Sequence, residues 1–334
     1  MVRIESGIDG LLLTQIADKH WDIINPRHQQ HVYFLLEESL IGRIENKRND
    51  HLANGNIRAE FYDMLLADNY ANLKKLILCS AAEIREIIAE ITLFLADRGL
   101  LDQPGWTTFS TEIFTVFGYE NWRSNGKGQR LYELLNLEIC PYCNLETIQV
   151  DYDNDIVVAS FDHYYLKAKY PYLSMTFSNL IPVCQKCNQT YKLDLSFCLG
   201  THIHPYQDDY DSYCYMECDI INDVGDFEVN LFLYNDDDQR VKRFNHELSF
   251  TVRYNHSAVL KSVKSLVTLI QKHYGIDSRL SMVNDYNLSM QEITRNICED
   301  INVPYTKTEI LNHQYGKVRR DIAIQSGLIQ RDNI

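Results

Sequence analysis

The chain has 334 residues, 45% hydrophobic and 23% charged, and its 46 acidic and 32 basic side chains give a formal net charge of −14. By the usual size of domains, this length builds one large domain or a few small ones with buried cores. The composition excludes disordered, collagen-like and coiled-coil chains, and the acid excess excludes a uniformly basic coat for nucleic acid while leaving room for a local groove.

Residues 1–135 read as a helical region. The clearest helix follows Ser80, which with Glu83 has the spacing of a capping box. Ile84, Ile87, Ile88, Ile91 and Leu95 then recur at helical intervals, and Gly99 closes the helix. Asp102 to Gly105 is a turn, and a further helix is predicted from Gly128 to Leu137 with Leu131, Leu134 and Leu135 on one face. The texture changes at Cys140. Two β-branched runs, 147–152 and 156–161, flank the turn formers 153–155 and predict a hairpin. Asn179 to Cys184 reads as a strand and Gln185 to Leu195 as a helix.

Residues 201–256 form an acidic segment expected to be β-rich, and positions 201–250 alone hold 12 acidic and 3 basic side chains. A second hairpin is predicted there, with Phe227 to Tyr234 and Gln239 to Phe244 about the turn Asn235 to Asp238. Residues 257–334 read as helical again, over Ser257 to Tyr274, Ser278 to Cys298 and Thr306 to Ser326. The expected organisation, in the α+β class, is a helical region 1–135, a core 136–200, the acidic segment 201–256 and a helical region 257–334.

The stretch Met1 to Leu13 lacks a basic-then-apolar leader, and no run reaches the roughly 18 apolar residues of a membrane helix. A cytoplasmic location with reduced thiols and no membrane contact is expected. Four of the nine cysteines form two Cys-x-x-Cys pairs, Cys140 with Cys143 and Cys184 with Cys187. Four thiolates suit a tetrahedral structural Zn²⁺ with no position left for water, and such an ion clamps a small core by adding its binding energy to folding. Cys214 and Cys218 read as ordinary cysteines.

Between the two pairs lies Asp162-His163, followed by Asn179, Asn188 and Lys192. Neighbours on a strand point to opposite faces. Asp162 and His163 can therefore divide labour at a strand end, the carboxylate holding a cation and the imidazole facing a substrate water. Asn188 directly follows the second cysteine pair. A carboxylate and an amide oxygen form a sparse oxygen site that suits Mg²⁺, with waters and phosphate filling the rest. Lys167, Lys169 and Lys192 read as phosphate contacts or as ordinary surface lysines.

These residues resemble the core of the HNH endonucleases, the ββα-metal fold. That core reads Asp-His, a loop, Asn-Leu-x-Pro-x-Cys-x-x-Cys-Asn and a nearby Lys. Here these are Asp162-His163, Asn179 to Asn188, and Lys192. The resemblance implies a central, treble-clef-like, zinc-stabilised nuclease core that hydrolyses phosphodiester bonds of DNA. It implies His163 as general base, a role that an imidazole with an ordinary pKa of about 6.5 can fill near neutral pH. It also implies Asp162 and Asn188 as ligands of a catalytic Mg²⁺ or Mn²⁺, and Asn179 as the brace of the loop that orients His163. Cys140, Cys143, Cys184 and Cys187 become the structural zinc set. Asn188 stands where the family name has His, which bears on the metal preferred.

The loop Tyr164 to Ser174 and the later His204-Pro-Tyr206 resemble a subgroup of bacterial HNH proteins, some of them phage-defence effectors of the Septu kind. This implies a defence nuclease with an ATPase partner and leaves oligomerisation open. Two alternatives stand beside it: an RNA-cleaving effector, and a zinc-stabilised nucleic-acid- or protein-binding module with an inactive nuclease core. His202 and His204 are expected to be structural. The basic cluster Lys317 to Arg320 reads either as a nucleic-acid contact or as charge bias along a helix.

Overall fold

A computed structural model of the chain describes residues 3–27, 36–102, 105–148, 150–151, 156–157, 160–220, 226–273, 279, 282 and 288–330. The N-terminal region is a layer of helices: α1 (Leu13–Ile24), α2 (Leu40–Ala53), α3 (Ala59–Leu78), α4 (Ile84–Asp97), α5 (Gly105–Phe117), α6 (Tyr119–Ser124) and α7 (Lys127–Leu135). Helix α4 buries Ile84, Ile87, Ile91 and Leu95. Its start is held by the Glu83 carboxylate, which accepts from the Ser80 amide and hydroxyl, both at 2.7 Å. Gly99 follows in the left-handed region at φ 65°, which costs glycine nothing. Helix α3 is interrupted where Asp68, Asn69 and Tyr70 take positive φ.

Among the described residues the sheets are three two-stranded antiparallel ribbons. β1 (Val150–Asp151) pairs with β2 (Ile156–Val157), and β3 (Ser160–His163) pairs with β4 (Leu180–Val183). The single hairpin expected over 147–161 therefore divides. Its second run splits between two partners, and positions 149, 152–155 and 158–159 lie outside the described residues. The helix expected from Gln185 to Leu195 starts at Gln185 but ends at Lys192, and over Cys187–Lys192 it is a wide π-helical turn, with Leu193 N donating to Asn188 O at 3.0 Å.

In the acidic segment, β5 (Cys214–Ile220) pairs with β6 (Phe227–Leu233). The second predicted hairpin is wrong in its partner strand. Gln239 to Phe244 belongs to a helix, α8 (Gln239–Glu247), followed by α9 (Phe250–Tyr254). Asp238 decides this by capping. Its carboxylate accepts from Arg240 N at 2.9 Å and Val241 N at 3.4 Å, and Val241 and Phe244, three apart, share a buried helical face. The segment is thus part strand and part helix.

The C-terminal region carries α10 (Ser257–His273), α11 (Met290–Asp300) and α12 (Gly316–Gln325). The expected helix Ser278 to Cys298 is seen over its second half, while 278, 280–281 and 283–287 lie outside the described residues. The expected helix Thr306 to Ser326 breaks into a short 3₁₀ stretch, Lys307–Asn312, and α12. At the break Tyr315 has φ 62°, and a Cβ on Gly316 would lie 2.6 Å from Ile310 O.

One cluster of buried apolar side chains runs from Ile4 to Ile329 through all of these regions. It encloses the β3–β4 ribbon, every residue of which is buried. The loop between β3 and β4 docks on the helical layer. Thr176 donates to Leu76 O at 3.0 Å, Ser178 donates to Cys79 O at 2.7 Å, and His20 Nε2 donates to Met175 O at 2.9 Å.

Candidate functional site

The two cysteine pairs meet. The sulphurs of Cys140, Cys143, Cys184 and Cys187 all lie within 4.8 Å of one another, and all four residues are buried. Cys143 Sγ and Cys184 Sγ are 3.9 Å apart although 41 residues separate them in the chain. A tetrahedron with metal–sulphur bonds of about 2.3 Å has edges of about 3.8 Å. Backbone amides point at the sulphurs, Leu145 N at Cys143 Sγ and Cys187 N at Cys184 Sγ, each at 3.4 Å.

A cation joins them, since Arg253 Nη1 donates to Cys187 Sγ at 3.3 Å. The next residue, Tyr254, donates its hydroxyl to Cys143 O at 2.7 Å. Inward N–H donors and a buried positive charge are what a cluster of thiolates around a metal needs, and these four cysteines can hold a metal such as zinc. Arg253 and Tyr254 were not readable from the sequence, because they sit 66 and 111 positions from the cysteines they touch.

Strand β3 sends alternate side chains to opposite sides. Phe161 stacks on Tyr132 at a centroid distance of 4.1 Å, and His163 meets the edge of Tyr119 at 4.4 Å, both on the side of the N-terminal helices. Ser160 and Asp162 face the cysteine side. Asp162 Oδ2 accepts from the Tyr142 hydroxyl at 2.6 Å, and Asp162 Oδ1 accepts from Lys192 Nζ at 2.9 Å. The same ammonium donates to His163 O at 2.9 Å and stands 5.0 Å from the Phe197 ring centre. The pair is sealed, with Asp162 2% and Lys192 0% exposed.

His163 Nε2 lies 3.0 Å from Ser174 O. A carbonyl only accepts, so Nε2 carries the proton and Nδ1 is left as the acceptor of the ring. Burial pushes the imidazole down to about 3, outweighing the bond to Ser174. His163 is therefore neutral at ordinary pH. Asn179 ties the same loop together. Its Oδ1 accepts from Tyr165 N at 2.7 Å, and its Nδ2 donates to the carbonyls of Tyr165 and Leu173, both at 3.1 Å.

The other candidates are placed as follows. Asn188 Nδ2 donates to Ser160 Oγ at 2.8 Å. Lys167 pairs with Glu120 at 2.9 Å and lies over the rings of Phe114 and Tyr119, while Lys169 lies over Tyr170. Lys192 is interior rather than at the surface. His202 pairs with Glu247 at 2.7 Å, and His204 is fully buried against Tyr164. The cluster Lys317 to Arg320 is turned inward. Lys317 pairs with Asp321 and Asp211, Arg320 pairs with Asp211, and Arg319 holds the carbonyls of Ile301 and Asn302. Cys214 and Cys218 belong to no metal-ligand group among the described residues.

The implied catalytic cation fares differently from zinc. Each oxygen of Asp162 already takes a protein donor, and one of those donors is itself a cation. Asp162 and Asn188 as they stand do not fit Mg²⁺ or Mn²⁺.

No protein-family model matches the chain, and no curated protein or solved structure matches it. Among the described residues, no helix is long and apolar enough to cross a membrane.

Proposed function

We propose that the chain is a nuclease of the HNH type, hydrolysing phosphodiester bonds of DNA from a zinc-clamped core. The observation that carries this reading is the tautomer of His163. Its Nε2 is committed to Ser174 O, on a loop that Asn179 braces with three buried hydrogen bonds, and its Nδ1 remains to take a proton. Strand β4 pairs with the strand that carries His163 and runs directly into Cys184. The metal cluster and the base are thereby tied to one short ribbon. His163 Nδ1 accepts the proton of the attacking water as oxygen bonds to phosphorus, and the bond to the leaving 3′ oxygen breaks. Lys167, whose ammonium lies over the Tyr119 ring that His163 meets, supports the phosphate charge.

The likeness of the Tyr164 to Ser174 loop and of His204-Pro-Tyr206 to defence nucleases supports a role as a bacterial defence effector with an ATPase partner. A second reading, a binding module with an inactive core, is favoured by one observation, the sealed Lys192–Asp162 pair.

The deciding experiment incubates supercoiled plasmid DNA, and separately RNA, with the zinc-loaded protein in Mg²⁺, Mn²⁺ or chelator. Wild type is expected to nick or cut DNA with a divalent ion, and His163→Ala to abolish this with an unchanged circular-dichroism spectrum. Folded wild type that cuts neither nucleic acid would favour the binding module.

A further inference from the structure

The β5–β6 ribbon packs one face on the core and turns the other to solvent. Cys214, Met216 and Val229 are buried on the inner face. Tyr215, Glu217 and Asp219 alternate with them along β5 and share the outer face with Phe232, Asn230 and Glu228 of β6, which stand directly opposite.

At one end of the outer face three rings stand in a row. Tyr215 stacks on Phe232 at a centroid distance of 5.3 Å and tilts against Tyr234 at 4.9 Å. Phe232 is 39% and Tyr234 51% exposed. A cross-strand aromatic pair steadies a ribbon, but Tyr234 lies beyond the end of β6 and carries the stack into solvent. Contiguous exposed rings mark contact surfaces.

At the other end the charges are of one sign. Asp219 sits directly across from Glu228, and both are exposed. Like charges opposite one another destabilise a ribbon. Among the described residues neither joins an ion pair, nor does Glu217 beside them. The bonds that Arg240, Lys307 and Lys317 make to the acidic segment go to Asp208, Asp238, Asp209 and Asp211 instead. Asn230 donates to Asp219 Oδ2 at 3.0 Å and supplies a dipole but no charge.

We propose that this face docks a basic segment of a partner protein, with arginines over the rings of Tyr215, Phe232 and Tyr234 and their charge beside Glu217, Asp219 and Glu228. A guanidinium suits both ends of the face, because its plane stacks on an aromatic ring and its fork meets a carboxylate. It also offsets the repulsion between Asp219 and Glu228. The same charges oppose other occupants. Nucleic acid and anionic lipid would bring phosphate to a negative surface, and a second copy docked face to face would set carboxylate against carboxylate. Strand addition is blocked, since side chains already hold the outer edges of the ribbon. Asp321 accepts from Met216 N at 2.8 Å, Gln325 accepts from Cys218 N at 2.9 Å, and Asn255 both accepts from Val229 N and donates to Val229 O at 2.8 Å. The partner therefore lies on the face and not along an edge. The docking face is independent of the nuclease reading.

The test is fluorescence anisotropy of a labelled peptide of alternating arginine and glycine, titrated with the purified full chain at physiological salt. Wild type is expected to bind it, and to bind the lysine version of the peptide several-fold more weakly. Asp219→Asn with Glu228→Gln should weaken binding of the arginine peptide roughly tenfold. Asp18→Asn with Asp22→Asn, an equal change of net charge at exposed positions of α1, should leave it unchanged. Phe232→Ser with Tyr234→Ser should also weaken binding roughly tenfold, and this loss should persist at high salt, which screens the carboxylates. If that pair fails to fold, Tyr234→Ser alone should give a smaller loss in the same sense. No binding by wild type, or equal weakening by the ribbon and α1 charge substitutions, overturns the docking face. So does single-stranded DNA that wild type holds and Phe232→Ser with Tyr234→Ser releases, or a dimer that the same substitutions dissolve.

Discussion

Arg253 Nη1 lies 3.3 Å from Cys187 Sγ, a contact that places a buried guanidinium against the cysteine cluster. Burial opposes its charge, but the sulphurs of Cys187, Cys143 and Cys184 outweigh that and raise its pKa above the usual value. Tyr254, next in the chain, holds Cys143 O. The short helix Phe250–Tyr254 thus grips both cysteine pairs and fastens the acidic segment to the core. A zinc ion with four thiolates has a net charge of about −2, and Arg253 offsets part of it.

Arg253→Ala is expected to weaken zinc retention by roughly 10- to 100-fold, the usual effect of losing a hydrogen-bond partner of a metal ligand. Competition with a chromogenic chelator measures this. Arg253→Lys, which keeps the charge and loses the fork, should lie between. Identical zinc release from all three proteins would remove Arg253 from the metal site.

Purified protein that has met no chelator is expected to contain about one zinc per chain. Cys140→Ser, or prolonged chelation, should abolish cooperative melting of the core, because structural zinc contributes about 10–16 kcal/mol in small domains and whole proteins are stable by only about 5–15 kcal/mol. Elemental analysis supplies the count, and a metal-free protein with a normal melting transition would refute the assignment.

Asn179→Ala should destabilise the fold by about 3 kcal/mol or more, since it strands one amide and two carbonyls, each costing about 1–3 kcal/mol when buried without a partner. The denaturation midpoint should fall with an unchanged slope. On the proposed nuclease reading, cleavage should fall further than the folded fraction does, because the loop that carries Ser174 O no longer holds His163 in place. Equal losses in cleavage and folded fraction would reduce Asn179 to a purely structural part.

Acid should unfold the protein early. Burial pushes His20 down to about 4 and His204 to about 3, against weaker upward effects of backbone bonds to Met175 and Ser178. In the unfolded chain both titrate near about 6.5. Between these values the unfolded state binds more protons, so stability rises with pH there. It is complete above about pH 6.5 and is lost as pH falls towards 4 and then 3, at up to about 1.4 kcal/mol per pH unit for each histidine. Urea midpoints from pH 7 to pH 5 check this, and His204→Gln should flatten the profile. A midpoint independent of pH over that range would contradict it.

Where a feature depends on neighbours a few positions away, it was legible in the sequence. Ser80 does not cap the helix, which starts only at Ile84 with Glu83 at its N-cap, but the Ser80–Glu83 contact and the isoleucine spacing of Ile84–Asp97 are local. So are the strand Leu180–Val183 and the tight Cys-x-x-Cys turns, which present two sulphurs side by side. Gln239–Glu247 failed the same reading because its six-residue start carries only Val241 and Phe244 as apolar marks, and the cap on Asp238 tipped it to helix.

The Asp162-His163 motif points to a candidate site from sequence alone, but the surroundings of its carboxylate belong to the tertiary structure. The same letters serve whether the carboxylate is open to a cation or closed by an ammonium. That choice was made by Tyr142 and Lys192, 20 and 30 positions away, and by Arg253 for the cysteines. The physical reason is one of range. Backbone periodicity and capping act over a turn or two of chain, whereas the donor that reaches a buried oxygen or sulphur is chosen through space by the packing of whole elements.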